Sequence, residues 1–194
     1  MKILIGCEES GKVRDAFRAL GHDAISCDIL PTRRNPKFHI QGDVLPLLRK
    51  KWDMAILFPP CTHLASSGAA SFAAKRADGR QADGIAFFMA CINVNAPRVC
   101  VENPVGIMST VYRKPDQIIH PWQFGHPEQK TTCLWLKGLP PLKETQNVKA
   151  YMLTLPKRER ERLHYLSPSP ERARLRSETF QGVADAMAAQ WGNL

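Results

Sequence analysis

Residues 52–68 read WDMAILFPPCTHLASSG, and the fold turns on how the apolar run inside them ends. Met54 to Phe58 has no polar member, which suits a strand covered on both faces of a sheet. Pro59 and Pro60 stop it, because proline has no amide hydrogen to give a ladder and holds the residue before it extended. Cys61 is thereby expected at a strand tip, on a stiff lead. In an open α/β sheet ligands bind outside the carboxyl ends of the strands, so a thiol there can meet a substrate. Taken by itself, Cys61 also reads as one more small buried hydrophobe, as most free cysteines are.

Working outward toward the amino terminus, Lys2 to Gly6 (KILIG) predicts a first strand, and Val13, Ala16, Phe17 and Leu20 fall at helical spacing with Gly21 as a stop. Between them Gly6-Cys7-Glu8-Glu9-Ser10-Gly11 forms a glycine-bearing strand-to-helix turn. It lacks a full GxGxxG, and its two carboxylates would repel phosphate, so a cationic or neutral nucleoside such as S-adenosylmethionine suits it better. An ordinary βα turn is the competing reading. Asp23 to Asp28 predicts a second strand ending in an acid about 20 residues after the glycine turn, where dinucleotide folds place the carboxylate that binds ribose hydroxyls. Asp28 fits that role, or caps the next turn. Phe38 to Asp43 predicts a third strand, with Asp43 placed to bond an adenine amino group or to cap a short helix over Val44 to Lys51.

Toward the carboxyl terminus, Ala65 to Ala82 is rich in Ala, Ser and Gly, with Lys75, Arg76 and Arg80, and is expected to be a mobile basic loop beside the thiol. Gly84 to Ala96 predicts a helix apolar nearly all round. Arg98 to Glu102 predicts a fifth strand that Glu102-Asn103-Pro104 ends, with Glu102 at the tip and Cys100 on the same face two residues deeper. A carboxylate in that setting is functional more often than packed, since burying an unpaired acid is costly. Gln117 to Gly125 and Lys130 to Leu136 predict an antiparallel or mixed finish to the sheet. Lys143 to Arg176 shifts to charge and proline, Lys157 to Arg162 (KRERER) reading as a solvated helix face. Phe180, Val183, Ala184, Met187, Ala188 and Trp191 make one stripe of a last helix with Ser177 as its cap. This alternation of strand, helix and loop predicts a doubly wound α/β domain.

The chain has 194 residues, enough for one domain with a sizeable core, and its net charge of +9 points to an anionic partner, nucleic acid ahead of a membrane surface. The six cysteines (Cys7, Cys27, Cys61, Cys91, Cys100, Cys133) include no CxxC pair, so reduced thiols are expected, without a metal cage or disulfide framework. No apolar run reaches the ~18 residues of a spanning helix, which points to the cytoplasm with no membrane partner.

The ordered set of motifs resembles the cytosine-5 DNA methyltransferases. Cys7 to Gly11 is similar to a divergent form of their cofactor loop, and Asp28 and Asp43 fall where the family's next two motifs put cofactor-binding acids. Phe58-Pro59-Pro60-Cys61 resembles the proline-proline-cysteine nucleophile motif, Glu102-Asn103-Pro104 the Glu-Asn-Val motif, and Gln123 to Cys133 (QFGHPEQKTTC) the later strand motif. The resemblance implies a Rossmann-like S-adenosylmethionine-dependent fold, DNA as partner, a monomer, and a phage or bacterial type. It implies Cys61 and Glu102 as catalytic residues. Cofactor would be held by Cys7, Glu8, Glu9, Ser10, Gly11, Asp28, Ile29, Asp43 and Pro59, and substrate by Pro60, Ser66, Asn103, Pro104, Gln129 and Thr131. Residues 1–138 would form the catalytic core, 139–176 a short basic segment in place of a recognition domain, and 177–194 a helix packing back on the core. Departures are the Cys7-Glu8-Glu9 sequence in place of aromatic and glycine residues, and Lys130-Thr131-Thr132-Cys133 where the family alternates arginines. The recognition segment is also far short of the ~100 residues of a full domain.

The chemistry accounts for these residue types. Cytosine carbon 5 is a weak nucleophile until a thiolate adds at carbon 6, and a protonated carboxyl at nitrogen 3 stabilises the charge that the addition creates. An amino-group methyltransferase would need Asn, Asp or Ser before the prolines. An RNA cytosine methyltransferase would take its nucleophile from the next strand, where Cys100 lies too deep. The alternative of another class is a catalytically idle nucleic-acid-binding or regulatory domain. Arg33, Arg34, Lys75, Arg76, Arg80 and the Lys157 to Arg176 segment are expected to bind phosphates, giving a short or relaxed recognition site.

Overall fold

The computed structural model describes every residue, Met1–Leu194. β1 (Lys2–Gly6) leads through a tight turn to α1 (Lys12–Ala19). Gly21, at a φ of 83°, closes that helix by letting the His22 and Gly21 amides donate back to the Phe17 and Arg18 carbonyls. β2 (Asp23–Asp28) follows, then a 3-10 turn over Pro36–Phe38 and β3 (His39–Gln41). β3 is shorter than the Phe38 to Asp43 strand read from sequence, because Asp43 turns to accept the Leu45 amide (2.9 Å) at the start of α2 (Leu45–Leu48). β4 (Met54–Leu57) ends at the residue before Phe58 and the two prolines.

The stretch from Ala65 to Ala82 is helical, which corrects the mobile loop expected there. A 3-10 helix covers Ser66–Ser71, α3 covers Phe72–Ala77, and α4 (Arg80–Ile92) begins four residues before the predicted Gly84. The alanines favour helix, and two polar side chains anchor it inward. Lys75, only 7% exposed, donates Nζ to the Thr62 carbonyl (2.7 Å), and Gln81 donates to the His63 carbonyl (3.2 Å).

β5 (Arg98–Pro104), α5 (Met108–Val111), β6 (Gln117–Ile119) and β7 (Thr132–Lys137) complete the sheet, with a 3-10 turn at Pro121–Gln123. Four short helices, α6 (Lys149–Thr154), α7 (Lys157–Arg160), α8 (Arg162–Tyr165) and α9 (Pro170–Ser177), precede α10 (Gln181–Trp191). Ser177 does not cap the last helix. Its hydroxyl donates to the Arg174 carbonyl (2.8 Å) inside α9, and an extended corner, Glu178–Phe180, separates the two helices.

The seven strands lie in the order β3-β2-β1-β4-β5-β7-β6, parallel except that β7 runs antiparallel to both neighbours. Alternation along the strands sorts side chains into two cores. Ile3, Ile5, Met54, Ile56, Cys100, Leu134 and Leu136 face α1 and α10, whereas Leu4, Ala55, Leu57, Val99, Val101, Cys133 and Trp135 face α2 and α4. This is the doubly wound, Rossmann-like α/β fold, and burial on both faces explains the unbroken apolar strand sequences. The chain reverses its direction of travel across the sheet between β1 and β4, so their carboxyl ends open a crevice at the topological switch point. All six cysteines are free thiols, and no helix is long and apolar enough to cross a membrane.

Candidate active site

The loop carrying Cys61 is fixed by its own carbonyls. Pro59 O accepts from Asn103 Nδ2 (2.8 Å), Cys61 O from the Leu64 and Ala65 amides (both 2.9 Å), and Leu64 O from the Ile107 amide (3.0 Å). The Thr62 and His63 carbonyls are those held by Lys75 and Gln81. Asn103, 1% exposed, therefore ties the tip of β4 to the tip of β5. Ser66 extends the tie, its amide (2.9 Å) and hydroxyl (3.0 Å) both donating to Val105 O. The two segments approach so closely that a β-carbon at Gly106 would lie 2.2 Å from Leu64 O. Gly106→Ala is expected to lower unfolding free energy by about 1–3 kcal/mol, as overpacking does, read as a reduced urea midpoint with an unchanged slope.

Glu102 lines a cleft shared with Phe58, Ile119, Pro121, Lys130, Thr132, Thr179, Phe180, Val183 and Met187, and Cys61 lies outside that lining. The antiparallel register opposes Pro104 to Thr132 and Glu102 to Leu134, which puts Thr132 on the Glu102 face of the sheet. Burial raises the Glu102 carboxyl above its ordinary value, and the Lys130 ammonium and Thr132 hydroxyl pull it part of the way back. The half-buried Cys61 thiol is raised too, first by burial and then by the Glu102 charge, while Lys130 and Arg176 act in the opposite sense. The Glu102 charge thus opposes ionisation of the thiol, Lys130 favours ionisation of both groups, and Arg176 favours that of the thiol.

The register, not the sequence, selects Thr132, and Lys130 reaches the cleft from the segment just before β7. Gln129 is exposed, with its amide bonded to Arg160 O (2.6 Å), and Thr131 is half-buried outside the cleft lining. Pro60 is exposed beside Cys61, and Pro104 ends the β5 ladder. Thr179 and Phe180, from the corner before α10, had no signal beyond the apolar stripe to which Phe180 belongs.

Across the switch point, the Phe58 amide donates to Gly6 O (2.9 Å), placing the turn after β1 against the proline-cysteine segment. Cys7 is the one non-glycine residue with positive φ (59°), a conformation that costs about 1–2 kcal/mol. Its amide bonds Cys27 O (2.7 Å) beside Asp28. The strand-end acids each use one oxygen locally, Asp28 Oδ1 for the Leu30 amide (2.9 Å) and Asp43 Oδ1 for Leu45, leaving a second oxygen for a ligand. Ile29, next to Asp28, is 74% exposed.

The turn's two glutamates are more engaged than its sequence implies. Glu8 is buried, its Oε1 accepting from the Val13 amide (2.8 Å) and the Ser10 hydroxyl (3.0 Å). Burial pushes its carboxyl up to about 7, and its Oε2 is buried without a partner. Glu9 is held by the Arg33 fork at 2.9 and 3.0 Å. Gly11 precedes α1 in a left-handed conformation.

The basic groups divide as clearly. Arg33 is paired with Glu9, Arg34 with Asp15 (3.1 Å), Arg80 with Asp78 (2.5 Å), and Lys75 is turned inward. Four of the five cations expected to grip phosphates ahead of the carboxyl-terminal segment are therefore committed within the protein. Lys157, Arg158, Arg160, Arg172 and Arg176 form no ion pair, and Gln129 joins their segment to the residues leading into β7, Lys130 among them. No group of three or more His, Cys, Asp or Glu side chains is placed to hold a metal ion.

No protein-family model matches the chain, and no curated protein matches it either. Among solved structures it is similar to one described as a DNA modification methyltransferase encoded within an E. coli prophage, with 16% identity and a TM-score of 0.47 over 80% of this chain and 55% of that one. It is also similar to the Dnmt2 methyltransferase of S. pombe, with 13% identity and a TM-score of 0.45 over 98% of this chain and 65% of that one. The chain thus spans between about half and two thirds of the length of these proteins.

Proposed function

We propose that the protein transfers a methyl group from S-adenosylmethionine to carbon 5 of cytosine in DNA, through a covalent adduct on Cys61. The observation that carries this reading is the pair of adjacent central strand tips, Cys61 beyond β4 and Glu102 on β5, joined by the Asn103–Pro59 hydrogen bond beside a cleft with apolar walls. The cleft is tight as it stands, so a flat base swung out of the duplex would have to part its walls, in addition to an unstacking cost of a few kcal/mol.

The residues of the switch point fit the cofactor. Asp28 and Asp43 offer carboxylate oxygens to a ribose diol and an amino group, and Ile29 offers an apolar surface to adenine. The buried, unpartnered Oε2 of Glu8 is an acceptor suited to an ammonium donor. When bound, S-adenosylmethionine supplies an electrophilic methyl group. Cys61 forms a bond from its sulfur to cytosine carbon 6 as Glu102 gives its proton to nitrogen 3, making carbon 5 nucleophilic. After methylation, loss of the carbon 5 proton to a base or water expels the thiolate, and return of the nitrogen 3 proton to Glu102 restores the neutral ring and the acid. Lys130 faces Glu102 and stabilises the carboxylate left when its proton is given up.

Incubation with mixed DNA and cofactor labelled in the methyl group tests the activity: label in 5-methylcytosine supports this reading, and none supports the idle binding domain. The cofactor site has its own test. Asp28→Ala is expected to weaken S-adenosylmethionine binding about tenfold or more in calorimetry, the loss of a charged hydrogen bond of about 1.5–3 kcal/mol. Unchanged affinity would move the ribose contact elsewhere.

A further inference from the structure

Three segments distant in sequence meet at Glu178. Its Oε1 lies 3.0 Å from Lys12 Nζ, on the first residue of α1, and 3.5 Å from Arg33 Nη2. Arg33 in turn forks onto Glu9, and Thr32 Oγ1 donates to Glu9 O (2.8 Å), so the loop after β2 is fastened over the turn that follows β1. Two carboxylates and two cations form one neutral network. The Glu9 and Glu178 side chains are only 12% and 16% exposed, so their charges are less screened than those of ordinary surface pairs.

The residues immediately after Glu178, Thr179 and Phe180, line the Glu102 cleft. Their other side is held as firmly. His126 packs on Phe180 with ring centroids 5.1 Å apart and accepts the Gly182 amide at Nε2 (2.9 Å). A β-carbon at Gly182 would sit 2.0 Å from Phe124 O, so the corner presses against the segment leading to β7. The corner is therefore clamped between the proposed cofactor turn and the segment that brings Lys130 and Thr132 to the cleft.

We propose that Glu178 is a positioning residue that couples the two halves of the site, setting the Thr179–Phe180 wall of the base cleft in register with the Cys7–Gly11 turn, so that cofactor and target base each favour binding of the other. This rests on the function proposed above. The Glu9–Arg33–Glu178–Lys12 chain is closed in the structure, so a cofactor packed against the turn stiffens Glu9 and, through Arg33 and Glu178, the wall behind it. The coupling is reciprocal by thermodynamic necessity.

The test measures S-adenosylhomocysteine binding by calorimetry and binding of a cytosine-containing duplex by fluorescence anisotropy, each with and without the other ligand. In the wild type each ligand is expected to tighten the other about tenfold, a usual allosteric factor. In Glu178→Gln the factor is expected to fall below about twofold, with S-adenosylhomocysteine affinity in the absence of DNA little changed. Arg33→Gln, which breaks the same chain from its other end, is expected to lower the coupling factor below about twofold as well, and Glu178→Asp to keep part of the coupling. A coupling factor unchanged in either Gln variant, or absent from a wild type that binds both ligands, overturns the inference and leaves the proposed function standing. A wild type that binds neither ligand overturns that function, and the inference with it.

Discussion

Replacing Cys61 with serine is expected to lower methyl transfer at least about a thousandfold, while cofactor affinity stays within about twofold. The reaction needs a thiolate, and the site does not provide one freely: burial and the Glu102 charge both hold the thiol above its ordinary value, against the pull of Lys130 and Arg176. Ionisation becomes less costly when Glu102 takes up a proton, because the carboxylate charge is removed while the burial remains. A serine hydroxyl, whose anion lies far higher, gains nothing comparable from that exchange. The loop bonds that place residue 61 involve backbone carbonyls, so the substitution leaves the geometry intact. Transfer is measured as labelled methyl incorporated per turnover, and a serine variant keeping a tenth of the wild-type rate would remove Cys61 from the chemistry.

Glu102→Gln is expected to slow transfer about a hundredfold or more and to change the shape of the pH profile. The reactive arrangement, thiolate beside carboxylic acid, carries the same number of protons as thiol beside carboxylate. The rate should therefore be level between the two ionisations of the pair, falling on the acid side as both groups are protonated and on the alkaline side as both are deprotonated. The acid limb is expected above the ordinary carboxylate range, because burial raises Glu102. In the Gln variant the alkaline limb disappears and the rate rises with pH as the thiolate forms. Its midpoint should shift down, since one of the influences raising Cys61 has been removed. A stopped-flow series from pH 5 to pH 10 gives both profiles, and a bell shape retained in the Gln variant would assign the acid to another group.

Much of this architecture is legible in the sequence because its strands are buried on both faces and end on residues that cannot continue a ladder. Met54–Leu57 before two prolines locates the β4 tip with no help from tertiary contacts, whereas β5 runs two residues past the Glu102 end read from sequence, through Asn103 to Pro104, because β7 pairs along it. The helical stretch after Ala65 was hidden because its anchors are polar, Lys75 and Gln81, and reach backbone carbonyls that no residue pattern marks. Ser177 resembles a cap, yet the true start of α10 is set by the Glu178 contacts and the close approach at Gly182. The place of Thr132 is hidden for a different reason. Residues 132–136 are all buried, so no alternation reveals which of them share a face with Glu102, and only the pairing of Pro104 with Thr132 does.

The cations show the same division between local and long-range information. Sequence gives their number, but whether Arg33 or Arg34 is free to meet a phosphate depends on Glu9 and Asp15, brought beside them by the turn after β1. For the proposed nucleic-acid partner, the unpaired charge of Lys157–Arg176 lies on a segment of short helices that would offer few side chains to base edges.

The most direct test of the account is covalent trapping. Duplex DNA in which cytosine is replaced by 5-fluorocytosine is incubated with protein and S-adenosylmethionine, then digested and analysed by mass spectrometry. Fluorine cannot leave carbon 5 as a proton does, so the thiolate is not expelled and the adduct persists. The account predicts a DNA adduct on the peptide containing Cys61, dependent on cofactor and missing from Cys61→Ser. An adduct of equal yield in the serine variant, or none in a wild type that methylates unsubstituted DNA, would contradict it.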